Sequence, residues 1–274
     1  MRKNIRRKLV VLVGIIFGVT IFTACGSQGK QQSYEAIKKR GELIIGVDDT
    51  FVPMGFRDEQ DKLVGFDIDL ANVVTKELGL KAKIQPIDWS LKESELKNGT
   101  IDVIWNGYTV TDARKKQVDF SNYYLKNEQV LVVRKDSGIK DLAQMKDKVV
   151  GLQEGSSGQE SFDKKPELLK NNVKNQEAVL FPSFTEAFID LKAKRIDGLV
   201  IDKVFAEYYV SKQEDQVDYI ILPTDFAEED FAVGVAKDNK ELVEVINTGL
   251  EKAIKDGQAQ KISEKWFGDD RILK

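Results

Sequence analysis

Two polar segments of this chain carry groups that could hold a small anion. Residues 106–114 read Asn-Gly-Tyr-Thr-Val-Thr-Asp-Ala-Arg and directly follow a short apolar run, so an amide, hydroxyls and a guanidinium come close together. Arginine can grip a carboxylate through two parallel hydrogen bonds, and a charge-assisted bond contributes about 1.5–3 kcal/mol. The alternative is that Arg114 pairs with a local acid such as Asp112 on the surface.

The second segment is Gly155-Ser156-Ser157-Gly158, which follows a predicted strand and opens a predicted helix. Backbone N–H groups at the start of a helix have no partner within the helix, and they attract anions. An ordinary glycine-rich turn is the competing interpretation.

Groups used in familiar catalytic sites are missing from the sequence. The chain has no histidine and a single cysteine, Cys25, which excludes Ser-His-Asp and Cys-His catalysis and metal sites rich in histidine or cysteine. Residues 151–155 lack the Gly-Lys-Ser/Thr of a Walker loop. Residues 155–159 fail the G-x-S-x-G elbow at the last position, and no base is present to activate Ser157. No cofactor or metal is expected. Chemistry by carboxylates alone stays possible, although Glu228-Glu229-Asp230 is interpreted as a solvated loop.

A repeat at an offset of 95 residues predicts how the polar segments are positioned. Residues 96–104 (Leu-Lys-x-x-x-Ile-Asp-x-Ile) recur at 191–199 (Leu-Lys-x-x-x-Ile-Asp-x-Leu), and a weaker echo relates 43–48 to 148–153. Two lobes of one α/β architecture are predicted. Because such sheets bind ligands at the carboxyl ends of their strands, two facing edges would form a cleft. A common helix-to-strand junction without a second lobe is the alternative.

Hydrophobic spacing predicts the elements of both lobes. Strands are expected at 42–47, 81–87, 101–105, 129–134, 149–152, 199–201 and 231–236. Helices are expected around Phe66, Leu70, Val73, Val74 and Leu78, at 91–98, from Ser183, and around Leu242, Val245, Ile246, Leu250 and Ala253. Ser183 and Glu186 fit a capping box, and Gly79 and Gly257 are placed to end helices.

The first 25 residues differ in composition from the rest of the 274. Five basic residues precede an apolar run at 9–22 that ends near Cys25, which is typical of an export signal and too short for a bilayer span. The segment resembles a bacterial lipoprotein signal, in which the boundary cysteine is lipidated; an ordinary secretory peptide or an uncleaved anchor helix is the alternative. Removing five positive charges lowers the formal charge from −3 to −8, which argues against a nucleic-acid partner. Residues 26–33 are small and polar, as in a flexible tether.

The ordered motifs resemble the extracellular solute-binding proteins (family 3, polar amino acid type) of ABC transporters. These motifs are Asp48-x-x-Phe51-x-Pro53, Gly65-Phe66-Asp67-x-Asp69-Leu70, Trp89, Gly107-x-Thr109-x-Thr111-x-x-Arg114, Val150-Gly151-x-x-x-Gly155-Ser156-Ser157, Asp202 and Lys265-Trp266-Phe267-Gly268. The resemblance implies a two-lobed, type II periplasmic-binding-protein-like fold whose lobes are mainly parallel sheets flanked by helices, hinged by crossover strands near 129–134 and 224–236. Lobe 1 would comprise 34–129 plus 223–274, and lobe 2 would comprise 130–222, after a signal at 1–25 and a tether at 26–33.

The same resemblance implies roles for individual residues. Arg114 would bind the α-carboxylate of an amino acid beside Thr109 and the Gly107 backbone. Ser157 and the Gly158 amide, next to Ser156, would grip that carboxylate from lobe 2.

At the other groups of the ligand, Asp202 would meet the ammonium, and Phe51 and Trp89 would sandwich the side chain. Asp48 would meet the end of the side chain, which favours glutamine or a basic amino acid. The sequence departs from many relatives at Asn106, where they have a small hydroxyl residue, and at Met54, where they have phenylalanine.

The function predicted from the sequence is capture of a polar amino acid by closure of two lobes, followed by delivery to an ABC permease. A monomer is expected, held by a lipid on Cys25 at the outer face of the cytoplasmic membrane. An enzyme of the dehydratase type, with Asp202 or Asp48 as its acid, and a ligand-sensing module are the alternatives.

Overall fold

The computed structural model describes residues 33–212 and 219–274. The predicted signal, the lipidation site at Cys25 and the tether up to residue 32 lie outside the described residues. Ser33 begins the described chain and caps the first helix, because its Oγ accepts a hydrogen bond from the Ala36 N–H at 3.3 Å.

Residues 34–127 form the greater part of lobe 1, which is the unit built on the first sheet. Its helices are α1 (Tyr34–Arg40), α2 (Phe66–Glu77) and α3 (Lys92–Asn98). Its strands are β1 (Glu42–Val47), β2 (Thr50–Phe51), β3 (Gly55–Arg57), β4 (Leu63–Val64), β5 (Lys81–Pro86), β6 (Val103–Ile104), β7 (Val118–Phe120) and β8 (Leu125–Asn127). The predicted helix at 91–98 starts at Lys92, because Trp89–Leu91 form a separate 3-10 turn capped by Asp88.

The next segment forms lobe 2, the unit built on the second sheet. Its strands are β9 (Gln129–Arg134), β10 (Val150–Gln153), β11 (Ala178–Phe181), β12 (Gly198–Asp202) and β13 (Tyr219–Pro223). Its helices are α4 (Ser157–Lys164), α5 (Phe184–Lys192) and α6 (Lys203–Lys212). The serine half of the predicted capping box of α5 is confirmed, since Ser183 Oγ accepts from the Glu186 N–H at 3.3 Å.

The chain then returns to complete lobe 1 with β14 (Glu229–Phe231), β15 (Gly234–Ala236), α7 (Lys240–Lys255) and α8 (Gln258–Phe267). Helix α7 buries Leu242, Ile246, Leu250 and Ala253, whereas Val245, predicted to point inward, is only half-buried. Within residues 33–212 and 219–274, no helix is both long enough and apolar enough to cross a bilayer.

The two sheets share one plan. Lobe 1 has the strand order β5-β1-β6-β15-β7, and lobe 2 has β11-β10-β12-β9-β13. In each sheet the first three strands are parallel, and the fourth strand is antiparallel to both of its neighbours. The prediction of parallel-containing α/β lobes is confirmed.

The sequence repeat is reproduced in the strand register. Gly46 pairs with Ile104 between β1 and β6, and Gly151 pairs with Leu199 between β10 and β12. The repeated aspartate makes an equivalent hydrogen bond in each lobe. Asp102 Oδ2 accepts from the Ile44 N–H at 2.7 Å, and Asp197 Oδ2 accepts from the Val149 N–H at 2.9 Å. Each aspartate thereby ties the start of its strand to the neighbouring strand.

A two-stranded antiparallel ribbon of β8 and β14 connects the sheets and belongs to neither of them. The first crossing therefore lies just upstream of the predicted 129–134, which forms β9 inside the second sheet, paired on both sides and buried throughout. The second crossing runs from the end of β13 into β14, within the predicted 224–236.

Candidate ligand-binding site

A cavity lies between the two lobes. It is lined by Asp48, Phe51, Trp89, Asn106, Gly107, Thr109, Arg114, Gln153, Ser156, Ser157 and Asp202. Apart from Gly158, the structure brings every site residue named from the sequence to this cavity, and it adds Gln153. The polar residues come mostly from the carboxyl ends of strands, where α/β sheets bind ligands.

Asp48 and Asn106 stand at the ends of neighbouring strands of lobe 1. Asn106 Oδ1 accepts from the Asp48 N–H at 2.9 Å, which joins the loops that follow β1 and β6. The Asp48 carboxylate accepts from the Thr50 N–H at 2.9 Å and the Thr50 hydroxyl at 2.6 Å, and from Gln153 Nε2 of lobe 2 at 2.7 Å. Burial raises the pKa of Asp48, and these hydrogen bonds oppose that rise.

Phe51 and Trp89 are the aromatic residues of the cavity, and both are buried. The Phe51 ring lies 5.8 Å from the ring of Phe184 and 5.6 Å from that of Phe205, so it also packs against lobe 2. Gly107 adopts φ +57°, and a Cβ there would come within 2.7 Å of Phe51 Cε1. A glycine is therefore needed where the chain passes this close to the ring.

Asp67 holds the Gly107 loop from behind. Its Oδ2 accepts from the Gly107 N–H at 2.6 Å and from the Tyr124 hydroxyl at 3.1 Å. Complete burial raises the pKa of Asp67 to about 7. The motif Gly65-Phe66-Asp67 thus supports the site without lining it.

Arg114 lines the cavity and is buried, with 5% of its surface exposed. Its Nη1 donates to the Thr109 carbonyl at 2.9 Å and its Nη2 to the Gly155 carbonyl at 3.1 Å, so the guanidinium joins both lobes. It lies over the Tyr108 ring at 4.5 Å. The alternative of a surface pair with Asp112 is wrong, because Asp112 is exposed and pairs with Lys115, while the guanidinium of Arg114 approaches Glu93 at 3.7 Å.

Lys92 is a buried cation beside the cavity that no sequence pattern singled out. Its Nζ donates to the Trp89 carbonyl at 3.0 Å and to the Gly155 carbonyl at 2.9 Å. Burial, together with the nearby charge of Arg114, lowers its pKa to about 8. A lysine in the first turn of a polar helix resembles a surface residue, and its burial depends on the approach of lobe 2.

The serine-glycine segment of lobe 2 forms the start of α4. Ser156 caps this helix, since its Oγ accepts from the Gln159 N–H at 3.1 Å. The Ser157 hydroxyl lies 3.1 Å from the Thr109 hydroxyl of lobe 1. Gly158 lies behind the cavity wall, where a Cβ would come within 2.6 Å of Gln129 Oε1.

Asp202 lines the cavity at the end of β12 and shares its partners with a second buried acid, Glu229 of β14. Asn127 Nδ2 donates to Asp202 Oδ1 at 2.6 Å and to Glu229 Oε2 at 3.0 Å. Gln129 Nε2 donates to the same two oxygens, at 3.0 Å each. Burial, with a further contribution from the charge of Glu229, raises the pKa of Asp202 to about 8.

The interpretation of 228–230 as a solvated loop is wrong for Glu229, which is only 9% exposed. The Glu229 carboxylate points into the junction of the two lobes. Glu228, which directly precedes β14, instead pairs with Lys126 at the surface. The sequence does not reveal that one of two adjacent glutamates is buried and the other exposed, because both are the same residue type.

Contacts around the cavity hold the lobes together. Thr111 Oγ1 of lobe 1 donates to Glu160 Oε2 of lobe 2 at 2.8 Å. On another side, the Phe56 ring lies 6.0 Å from that of Tyr208, and Arg271 of lobe 1 forms an ion pair with Glu207 of α6. The structure is thus a closed arrangement, and its enclosed cavity offers hydroxyls and a guanidinium to an anion and carboxylates to a cation. These features define a two-lobed binding protein for a small charged solute.

Comparison with known proteins agrees with this class. Residues 43–269 match the model of the bacterial extracellular solute-binding proteins, family 3. The L-cystine-binding protein TcyJ of Escherichia coli strain K12 is 30% identical over 263 residues, which cover 95% of this chain and 94% of TcyJ. The arginine-binding extracellular protein ArtP of Bacillus subtilis strain 168 is 32% identical over 265 residues, covering 96% and 98%.

A solved structure is also similar over most of its length. The ABC uptake transporter substrate binding protein from Streptococcus pneumoniae with bound histidine is 48% identical, with a TM-score of 0.86, and the match covers 88% of this chain and 98% of that one. The chain belongs to the bacterial extracellular solute-binding proteins of family 3. The predicted family and fold class are confirmed, and the family consists of binding proteins rather than enzymes.

Proposed function

We propose that the protein captures a free basic amino acid outside the cell and delivers it to an ABC permease. The observation that carries this proposal is the charge of the cavity lining, which holds two carboxylates, Asp48 and Asp202, and one guanidinium, Arg114. A basic amino acid carries two positive groups and one negative group, which is the complement of this lining. Charges removed from water are costly unless they are paired, so a ligand that pairs all three groups is favoured.

Each end of the ligand has a place in this proposal. The α-carboxylate meets Arg114, Thr109 and Ser157, and the α-ammonium meets Asp202. The side chain lies between Phe51 and Trp89, whose faces cover its apolar part and attract its cation. Asp48, fixed by Thr50 and Gln153, pairs with the cationic end.

Three relatives support an amino-acid ligand. These relatives are an L-cystine-binding protein, an arginine-binding protein and a substrate-binding protein with bound histidine. Of these ligands, arginine has the charges that the cavity lining complements, and histidine has them when its ring is protonated.

Binding by closure follows from the way the chain crosses between the lobes. The ribbon of β8 and β14 joins the two sheets, and the cavity residues divide between the lobes on either side of it. In this proposal lobe 1 holds the ligand first, and rotation about the ribbon brings Ser157, Gln153 and Asp202 onto it.

Calorimetry of the purified protein against the twenty amino acids tests the ligand class. Arginine, lysine or histidine should bind most tightly, with one site per chain and with the ligand recovered unchanged. Asp48→Asn should weaken binding of the basic ligand by about tenfold or more while affecting glutamine much less, because it removes a charge-assisted contact. Asp49→Asn is the matched control, since Asp49 pairs with Arg57 away from the cavity. Turnover of a ligand, or equal loss for both ligands in Asp48→Asn, would contradict the proposal.

A lipid anchor at Cys25 is the second part of the proposal. It is supported by the basic segment, the apolar run and the single cysteine near the end of that run. Cys25→Ser should release the protein from cell membranes into the medium or periplasm, as followed by immunoblotting of fractions. Unchanged membrane retention would instead favour an uncleaved helix.

A further inference from the structure

Glu229 is a buried acid behind the binding cavity, and the proposed ligand contacts do not use it. Its Oε2 lies 3.1 Å from the Thr109 hydroxyl of lobe 1 and 3.1 Å from the Ser157 hydroxyl of lobe 2. Both hydroxyls line the cavity, and both are proposed to donate to the ligand carboxylate. In this structure they donate instead to Glu229.

Counting protons shows why this arrangement matters. Each hydroxyl has one proton to donate, so it can serve Glu229 or the ligand but not both. When both hydroxyls turn to the ligand, their lone pairs face Glu229 Oε2 at the same short distances. An ionised Glu229 would then meet two electron-rich oxygens, whereas a protonated Glu229 could donate a hydrogen bond to one of them.

A proton is available from the neighbouring acid. Asp202 and Glu229 receive hydrogen bonds from the same two amide groups, on Asn127 and Gln129, so their carboxylates lie close together in a buried site. Like charges this close do not ionise together readily, and the pKa of Asp202 is raised to about 8. At pH 7 Asp202 therefore holds a proton.

We propose that Glu229 is a positioning residue: when the ligand ammonium reaches Asp202, the proton of Asp202 moves to Glu229, which then donates it to the hydroxyl of either Thr109 or Ser157 and directs that hydroxyl's own proton toward the ligand carboxylate. The inference rests on the proposed function. The proton stays within the site, since Asp202 loses it and Glu229 takes it up. A single residue thus connects the ammonium end of the ligand to its carboxylate end.

The other groups facing this pair leave the proton with the two acids. Arg114 is the charged neighbour that lowers the pKa of Asp202, and it holds its own proton throughout the range of interest. The facing groups from β8, β9 and α4, which are Asn127, Gln129 and Ser157, carry no charge, and neither does Thr109. Lys92 and Asp67 titrate in the same range but contact neither acid, so a comparison with a Glu229 variant cancels their contribution.

The test measures affinity and proton linkage together, using the basic amino acid that binds the wild-type protein most tightly. Glu229→Leu, which can neither accept nor donate, should weaken binding about tenfold or more. Glu229→Gln, whose amide can donate to the hydroxyls, should restore much of that loss. Glu228→Gln is the matched control on the exposed side of the same segment. Thermal unfolding of each variant checks that it is folded.

Calorimetry in buffers of different ionisation enthalpy gives the number of protons exchanged and needs only wild type and Glu229→Gln. At pH 7 Glu229→Gln should release more protons than wild type on binding, because Asp202 gives up its proton in both proteins and only wild type has a second acid to take it. Near pH 8.5 wild type should take up additional proton and lose affinity relative to Glu229→Gln. Release of at least as many protons by wild type as by Glu229→Gln at pH 7, or full affinity in Glu229→Leu, would overturn the inference alone. If wild type binds no amino acid, the proposed function fails first.

Discussion

Gln153 Nε2 lies 2.7 Å from Asp48 Oδ2, and these two residues occupy equivalent positions in the two lobes. Asp48 comes two residues after Gly46 of β1, and Gln153 comes two residues after Gly151 of β10, which pair in the same way with β6 and β12. The internal repeat therefore places a carboxylate and a carboxamide opposite each other across the cleft. One lobe supplies the acceptor and the other supplies the donor.

Replacing Gln153 tests whether this contact contributes to closure on the ligand. Gln153→Ala removes one of the hydrogen bonds to the Asp48 carboxylate and should weaken ligand binding by about fivefold to tenfold, as expected for one bond to a charged group. Calorimetry gives the affinity, and Gln60→Ala, an exposed glutamine of lobe 1, is the control. Unchanged affinity in Gln153→Ala would mean that the contact belongs only to the ligand-free closed form.

Arg114 is expected to dominate binding of the ligand carboxylate. Arg114→Ala should reduce affinity by about a hundredfold or more, because truncating a buried charged partner leaves the ligand charge unpaired. Lys115→Ala is the control, since Lys115 is the adjacent cation and is half exposed. Circular dichroism should show a folded protein in both cases. Retained affinity in Arg114→Ala would show that another group holds the carboxylate.

Substitution of Gly46 tests the close strand packing that the repeat places at Gly46 and at its counterpart Gly151. A Cβ at Gly46 would lie 2.5 Å from Ile101 Cδ1, and a Cβ at Gly151 would lie 2.7 Å from Ile196 Cδ1. Gly46→Ala should therefore lower the free energy of unfolding by about 1–3 kcal/mol, as overpacking does. Ile101→Val removes the nearest atom, so the double variant should regain part of the loss. Denaturant unfolding measures all three, and additive effects of the two substitutions would contradict this explanation.

Asp67 should make stability depend on pH. Burial raises its pKa from 3.8 to about 7, so the folded chain holds a proton that the unfolded chain releases. The contribution of Asp67 to the free energy of unfolding therefore falls as pH rises from about 4 to about 7, by at most about 1.4 kcal/mol per unit. Asp67→Asn lacks this titration and should gain stability relative to wild type between pH 5 and pH 7.5. An equal difference at both pH values, measured by denaturant unfolding, would contradict the prediction.

The sequence predicted the part of the site that follows strands within each lobe. Strand ends are visible as apolar runs that stop at polar residues, so Asp48, Asn106 and Asp202 could be placed at one edge of a sheet. Gln153 was visible as the counterpart of Asp48 in the weaker repeat, although nothing in the pattern said that the two would meet.

Contacts that depend on the approach of the lobes could not be predicted in this way. Lys92 and Glu229 stand in charged segments that suit a solvated surface equally well, and each is buried by groups from distant parts of the chain. Hydrophobic periodicity reports which face of an element is covered. It contains no information on which polar side chain is covered later by a second lobe.

The position of β15 between β6 and β7 has a consequence for how the molecule is assembled. Every strand of the second sheet comes from one continuous stretch, 129–223, whereas the first sheet needs a strand from 234–236 in its interior. During synthesis from the N-terminus, lobe 2 has all its strands before lobe 1 does. The unit that begins the described chain is thus the last to become complete.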